Sequence, residues 1–445
     1  MSSRLPSVPR RLRHRMFLGT LVALTAAVLM ACFRPNPFVI NLMPAPDVYS
    51  EGVVDPFLNL DEKMTAPTFG TLYATDRAPA PGSKSFYAND RGFNVRLGIA
   101  TTELGTGDYT WEEARRISLL KNRTTQYPVK VTGVEEFGML DRTISVFTPP
   151  ELIPDDPKQA AQVFAQRVNE KLARSTKKEV YVYLHGYNVE FSNPILVASE
   201  LWHFLGYDGV MIAYSWPSTP STLSYGADLE TTAFSAHDLR IFLEYLAEET
   251  DAEKINLIAY SAGTRVAIYS LAQAMFMDKR DDKATIQRHR KIGRVVLVGS
   301  DFDRQLFAAY LVEGLLKVPQ SISVYVAKTD WVLGMSKRVF GRERLGHPLQ
   351  GEATDATLTY LANTPELQII DATGAEGVAE GTGHQYFRSS PLVSSDVLVS
   401  LLYNLDPAER GLVQEDNLPI WKFPDDYVDR LRATIQTYHK PDPSQ

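Results

Sequence analysis

Cysteine, histidine and positive charge are scarce in this 445-residue chain. Its single cysteine, Cys32, excludes an internal disulfide, because a disulfide joins two thiols. The 46 Lys and Arg residues are outnumbered by 53 Asp and Glu residues, which gives a net charge of -7. Nucleic-acid binders concentrate basic side chains to neutralise phosphates, so we expect no nucleic-acid partner. Neither metal-ligand spacing of Cys and His nor a glycine-rich phosphate loop occurs, so we expect no cofactor.

The chain also lacks the run of about 20 apolar residues that a membrane-spanning helix needs. The N-terminal apolar run, residues 16–30, is shorter and follows a cluster of arginines, which is the order of a secretory signal. Leu29-Met30-Ala31-Cys32 resembles the lipobox of bacterial lipoproteins, in which the signal is cleaved before the cysteine and the sulfur is acylated. We therefore expect a lipid anchor at Cys32. An uncleaved N-terminal anchor with an incidental cysteine is the alternative.

This export signal predicts a location in the bacterial cell envelope, at the periplasmic face of a membrane. Phe33 follows the cysteine. Because this position holds Asp in proteins retained at the inner membrane of enterobacteria, resemblance to that sorting rule favours the outer membrane.

Composition divides the chain into five segments. Residues 1–31 are the predicted signal peptide. Residues 32–66 are rich in Pro, Asp and Asn, and proline interrupts helices, so we interpret them as a tether that holds the protein off the membrane. Residues 67–150 contain short β-like pieces and predict a strand-rich N-terminal extension. Residues 151–405 form the main domain, and residues 406–445 a C-terminal extension.

The main domain alternates helical patterns with short, nearly continuous apolar runs. Strands that are apolar on both faces belong to a parallel sheet covered by helices on both sides. A doubly wound, mostly parallel α/β sheet is therefore the predicted fold. The six runs are residues 180–184, 210–214, 255–259, 295–298, 322–327 and 367–370.

One of these runs leads into a short motif with chemical meaning. Residues 255–259 are followed by Tyr260-Ser261-Ala262-Gly263 and then by a helical pattern over residues 264–277. Strand, tight turn and helix form a nucleophile elbow, which requires small residues two positions before and after the serine. Ala259 and Gly263 meet that requirement. Ser261 is the predicted nucleophile.

A serine hydroxyl needs an adjacent base, and the base needs a carboxylate that orients it. In this architecture the partners follow in the order Ser, Asp, His. Asp330 follows the run 322–327, and His384 follows the last run on a glycine-rich loop, so we predict the triad Ser261, Asp330 and His384. The rival base is His347, which also follows the acid. The rival acid is Asp301, for which a helix cap is the structural alternative.

The oxyanion hole of such a site needs two backbone N–H groups. One is predicted to come from Ala262, the residue after the nucleophile. The other is predicted to come from Tyr187, in the loop His185-Gly186-Tyr187-Asn188 that follows the first run.

Taken together, these motifs resemble those of a family of bacterial α/β-hydrolases catalogued only as being of unknown function. The resemblance covers about residues 70–405 and implies the α/β-hydrolase fold and hydrolase chemistry, without naming a substrate. Tyr260 departs from the family, whose members more often have His before the serine. The matching stretches are residues 185–188, 214–218, 259–263, 301–303, 329–330 and 383–387.

The sequence thus predicts a serine hydrolase that cleaves a carboxylic ester, from a small molecule or a lipid, through an acyl-enzyme at the envelope. The same three residues serve amide, thioester or acyl-transfer chemistry equally well. A non-catalytic envelope lipoprotein, which uses the hydrolase scaffold to bind a ligand or partner, is the alternative.

Overall fold

A computed structural model describes residues 39–438, with gaps at residues 53, 59, 61–67, 84, 106–109, 222–223, 350–352 and 415–417. The predicted signal peptide and Cys32 lie outside the described residues. Among the helices described, none is both long enough and apolar enough to cross a bilayer.

The described strands form one twelve-stranded sheet in the order β1-β4-β3-β2-β6-β5-β7-β8-β9-β10-β12-β11. The eight strands from β2 to β12 in this order are parallel, and antiparallel strands flank them on both sides. The strands are β1 (Val39–Asn41), β2 (Thr68–Pro79), β3 (Tyr87–Leu104), β4 (Pro128–Met139), β5 (Glu179–Leu184), β6 (Val210–Ser215), β7 (Lys254–Tyr260), β8 (Ile292–Val298), β9 (Ser321–Val326), β10 (Leu367–Asp371), β11 (Val413–Gln414) and β12 (Ile420–Lys422).

Helices cover both faces of this sheet. The described helices are α1 (Trp111–Ser118), α2 (Gln159–Leu172), α3 (Ser192–Phe204), α4 (Tyr225–Glu249), α5 (Gly263–Met277), α6 (Lys283–Arg290), α7 (Arg304–Glu313), α8 (Trp331–Phe340), α9 (Asp355–Ala362), α10 (Tyr386–Ser389), α11 (Pro391–Tyr403) and α12 (Tyr427–Tyr438). Helices α2, α4, α5, α6 and α7 contribute to the apolar core on one face, and α1, α3, α11 and α12 to the core on the other.

The predicted α/β-hydrolase fold, with its doubly wound sheet, is confirmed. All six apolar runs are parallel strands, β5 to β10, because side chains of both strand faces enter a core: Val182 packs in one and Tyr183 in the other. The strand-rich N-terminal region is also present. Strands β2, β3 and β4 continue the main sheet, and β2 pairs in parallel with β6.

The predicted tether over residues 32–66 is wrong for its described part. Strand β1 pairs with β4, and the chain that follows packs against α3 and α11. Met43, Val48 and Tyr49 are buried, and the Tyr49 hydroxyl donates a 2.7 Å hydrogen bond to the Phe204 carbonyl. Proline prevents a regular helix here, but these apolar side chains still gain from burial in the core.

Candidate active site

The strand β7 ends in a sharp turn that carries Ser261. The serine has a φ of 52°, in the left-handed region that non-glycine residues rarely adopt. Its N–H donates to the Val298 carbonyl at 3.0 Å, which ties the turn to the neighbouring strand β8. A methyl group at position 263 would lie 2.3 Å from the His185 carbonyl oxygen, so only glycine fits there. The turn therefore holds the serine side chain at the carboxyl ends of the strands.

Ser261, His384 and Asp330 form one hydrogen-bonded chain. The Oγ of Ser261 lies 2.8 Å from Nε2 of His384, and Nδ1 of His384 lies 2.7 Å from Oδ2 of Asp330. All three side chains are buried. With its proton on Nδ1, the imidazole donates to the carboxylate and accepts from the serine hydroxyl, which is the arrangement that activates a nucleophile.

Each oxygen of the Asp330 carboxylate has a different partner. Oδ2 faces His384, whereas Oδ1 accepts a 3.0 Å hydrogen bond from the N–H of Leu333 and so caps helix α8. The cap fixes the carboxylate relative to a helix that begins at the next residue. The orientation of His384 is thus set by α8 through Asp330.

Two residues to which we assigned no role from the sequence, Gly299 and Tyr386, help to position the imidazole of His384. Gly299 has a φ of 54°, and a methyl group there would lie 3.2 Å from Nδ1 of His384. The buried hydroxyl of Tyr386 accepts from the Gly299 N–H at 2.9 Å and donates to the Tyr325 carbonyl at 2.8 Å. Position 386 lies in the motif that follows His384, but the pattern carried no information about the partner of its hydroxyl.

The loop that follows β5 lies directly beside the nucleophile. A methyl group on Gly186 would be 3.1 Å from Cβ of Ser261, and Tyr187 lines the same cavity as Ser261 and His384. In the described residues the N–H groups of Tyr187 and Ala262 make no hydrogen bond. That neither N–H has a partner there is consistent with the oxyanion-hole role that the sequence predicts for both.

His185 supports this loop and is not a second base. Its ring stacks on Trp216 with a centroid distance of 5.0 Å, and its Nδ1 lies 2.6 Å from the Gly186 carbonyl oxygen. Desolvation by burial, together with the Arg77 guanidinium, lowers the pKa of His185 to about 3. The ring is consequently neutral at physiological pH.

The cavity at the triad has a volume of about 210 Å³. Among the described residues that line it, Arg388 alone carries a strong charge, and its guanidinium pairs with the buried Glu200 at 2.6 Å. The other walls are aromatic, aliphatic or neutral and polar, among them Tyr183, Val197, Val332 and Phe387. A larger apolar cavity of about 660 Å³ lies between α7 and α9 and contains no member of the triad.

The rival base does not reach the nucleophile. His347 Nε2 lies 3.4 Å from the backbone carbonyl oxygen of Asp330, and its Nδ1 lies 3.8 Å from a Glu343 carboxylate oxygen.

The rival acid, Asp301, belongs to a separate buried cluster. Its carboxylate lies 3.1 Å from Nε of Arg265, accepts from Ser336 at 2.6 Å, and also accepts from the Tyr225 hydroxyl. The helix cap considered for Asp301 is wrong, because Asp303 caps α7 by accepting from the Leu306 N–H at 3.0 Å.

Within the described residues, no group of three or more His, Cys, Asp or Glu side chains is placed to hold a metal ion. The polar groups near the cavity are a hydroxyl, an imidazole, a carboxylate and backbone N–H groups, and this set can support acyl transfer through a serine.

A family model described as an alpha/beta hydrolase of unknown function (DUF900) matches residues 160–401, which is more than half of the chain. The matched span contains Ser261, Asp330 and His384 and the strands from β5 to β10. No curated protein matches the chain.

Proposed function

Since the chain belongs to this family of alpha/beta hydrolases, we propose that it is a serine hydrolase. In this proposal it cleaves carboxylic esters, and Ser261 is the nucleophile. The observation that carries the proposal is the unbroken hydrogen-bonded chain from Ser261 through His384 to Asp330.

In the proposed reaction the Ser261 hydroxyl attacks the ester carbonyl carbon while His384 takes the hydroxyl proton. Negative charge develops on the carbonyl oxygen, where the N–H groups of Tyr187 and Ala262 stabilise it. The tetrahedral intermediate collapses, the alcohol leaves with the proton from His384, and an ester of Ser261 remains. Water activated by the same imidazole then releases the carboxylic acid.

The cavity supports a small acyl group. A volume of about 210 Å³ lies below the range of about 300–1,000 Å³ that encloses drug-sized ligands. The aromatic and aliphatic walls favour an uncharged acyl chain, because the Arg388 charge is already paired with Glu200. A longer substrate would have to extend beyond this cavity.

The proposal includes a location at the bacterial envelope through acylation of Cys32. Its support is the order of the N-terminal sequence: arginines, an apolar run and a lipobox-like tetrapeptide. The test is metabolic labelling of the full chain with palmitate in a bacterial host. We expect label in the wild type and none in Cys32→Ala; equal labelling would place the acyl group elsewhere.

The catalytic proposal is tested with a fluorophosphonate, which forms a covalent bond only to an activated serine. We expect one adduct on Ser261 in the full chain, none in Ser261→Ala, and strongly slowed labelling in His384→Gln. Esters of graded acyl length should show an optimum at short chains. A folded wild-type protein without an adduct would refute the enzyme and favour the ligand-binding alternative.

A further inference from the structure

The described chain begins beside the proposed active site. The carbonyl oxygen of Asn41, in β1, accepts a 3.1 Å hydrogen bond from Arg388, and Arg388 lines the cavity that contains Ser261. Asn41 lies nine positions after Cys32, and even a fully extended chain over nine steps spans only about 32 Å. This limit is close to the thickness of a bilayer hydrocarbon core, about 30 Å.

Helix α8 presents an apolar stripe to solvent. Trp331, Met335 and Val339 are spaced four residues apart and therefore lie along one side of the helix. They are 61%, 37% and 67% exposed, although large apolar side chains are normally buried. The helix carries no acidic residue and two bases, Arg338 and Lys337, of which Lys337 pairs with Glu343.

Helix α8, which carries the stripe, borders the cavity through a neighbouring residue. Val332, the second residue of α8, lines the cavity, and the Trp331 N–H donates to the carbonyl of Thr382, which also lines it. Helix α8 thus reaches the cavity through Val332, and β1 contacts Arg388, one of the residues that line it. The strand nearest to the predicted anchor and the helix that carries the stripe therefore both adjoin residues of this cavity.

From this arrangement we infer that the protein docks on an anionic bilayer through the α8 stripe, with the mouth of the cavity facing the lipid. Tryptophan is favoured at the membrane interface, and a helix with an apolar face and basic residues binds anionic lipid surfaces. The ester substrate is then an amphiphile of that bilayer, whose acyl group enters the cavity while the rest stays in the lipid. This inference rests on the proposed ester hydrolysis and on the anchor at Cys32.

Tryptophan fluorescence tests the docking without any use of activity. All five tryptophans lie in the described residues, and only Trp331 is more than partly exposed. The acylated full chain is reconstituted in vesicles of phosphatidylcholine and phosphatidylglycerol, with or without bromine on the acyl chains near the headgroup. We expect bromine to quench the emission of the wild type, and Trp331→Phe to remove most of this quenching. Quenching that is absent, or unaltered by Trp331→Phe, would overturn the docking.

A matched pair of variants tests whether docking through α8 is needed to hydrolyse an ester embedded in a bilayer. Val339 and Val312 are the penultimate residues of two ten-residue helices, α8 and α7, and Val312 is 83% exposed. Both helices end at a glycine with positive φ, so Val→Asp changes the same local structure in each.

We expect Val339→Asp to slow hydrolysis of an amphiphilic ester embedded in the vesicles by about tenfold, because a carboxylate resists insertion into lipid. Hydrolysis of a short ester dissolved in water should stay at the wild-type rate. Val312→Asp should leave both rates unchanged. If Val339→Asp behaves like Val312→Asp, the inferred surface is wrong. If no variant hydrolyses any ester, the proposed function is wrong, while the quenching still decides the docking.

Discussion

Two aspartates follow neighbouring strands of the sheet, and their side chains have different surroundings. Asp330, after β9, contacts His384 with one oxygen and caps α8 with the other. Asp301, after β8, contacts Arg265 and Ser336, on the helices that follow Ser261 and Asp330. Asp301 therefore connects helix α5 with helix α8. Asp330 instead contacts the imidazole of His384.

This difference predicts that the same substitution, Asp to Asn, lowers activity at position 330 and stability at position 301. Asp330→Asn should lower kcat for a soluble ester by about 10³- to 10⁴-fold, because an amide stabilises neither the required tautomer nor the imidazolium. Asp301→Asn should keep fluorophosphonate labelling but lower the free energy of unfolding by about 3–5 kcal/mol, because Arg265 loses its buried counter-charge. Ester kinetics and urea unfolding of both variants check this. A folded Asp301→Asn protein as inactive as Asp330→Asn would contradict the assignment.

At the scale of elements, the turn between β7 and α5 depends on close contact with the end of β5. Gly263→Ala would bring a methyl group 2.3 Å from the His185 carbonyl oxygen and 2.7 Å from that of Leu184. We expect α5 to shift, with a loss of about 1–3 kcal/mol of stability and of most ester hydrolysis. The control is Gly226→Ala in α4, where nothing lies within 4 Å of the added methyl group. It should be neutral or stabilising by up to about 1 kcal/mol.

The C-terminal segment is joined to α11 by a buried ion pair. Nε of Arg410 lies 2.7 Å from Asp396, and neither side chain is exposed. Arg410→Met should cost about 3–5 kcal/mol, because it leaves the Asp396 carboxylate buried without its counter-charge. The exposed pair Arg430 and Asp426 is the control, and Arg430→Met should change stability by less than about 1 kcal/mol. Urea unfolding of both variants measures the difference, and equal losses would refute the special role of Arg410.

At the scale of the whole molecule, buried neutral histidines predict sensitivity to acid. Desolvation by burial, with a smaller effect from Arg123, lowers the pKa of His203 to about 3. Below about pH 6.5 His203 is protonated in the unfolded chain but stays neutral in the folded chain. The free energy of unfolding therefore falls as the pH falls. The expected loss is about 1.4 kcal/mol per pH unit for each such histidine.

Urea unfolding at pH 7 and pH 5 measures this dependence. His203→Gln should reduce the loss between the two values by about 2 kcal/mol, because glutamine does not titrate. The same change at the exposed His289 is the control for the effect of the substitution itself. An identical loss in the wild type and in His203→Gln would show that His203 is protonated in the folded state.

The sequence by itself determined the local features of this protein. Apolar runs predicted β5 to β10, and the small residues around Ser261 predicted the elbow, because each property depends on neighbours in the chain. Chain order was enough to predict Asp330 and His384, which the structure places within hydrogen-bond distance of each other and, through the imidazole, of Ser261.

Only the tertiary structure decided the contacts between distant segments. Part of the proline-rich segment that we predicted to be a tether is buried in the structure. Asp301 pairs with Arg265, and the Tyr386 hydroxyl binds the Gly299 N–H. These contacts depend on how strands align and how helices pack on the sheet. The hydrophobic pattern of a segment indicates whether a side chain is buried. It does not indicate which distant residue that side chain contacts.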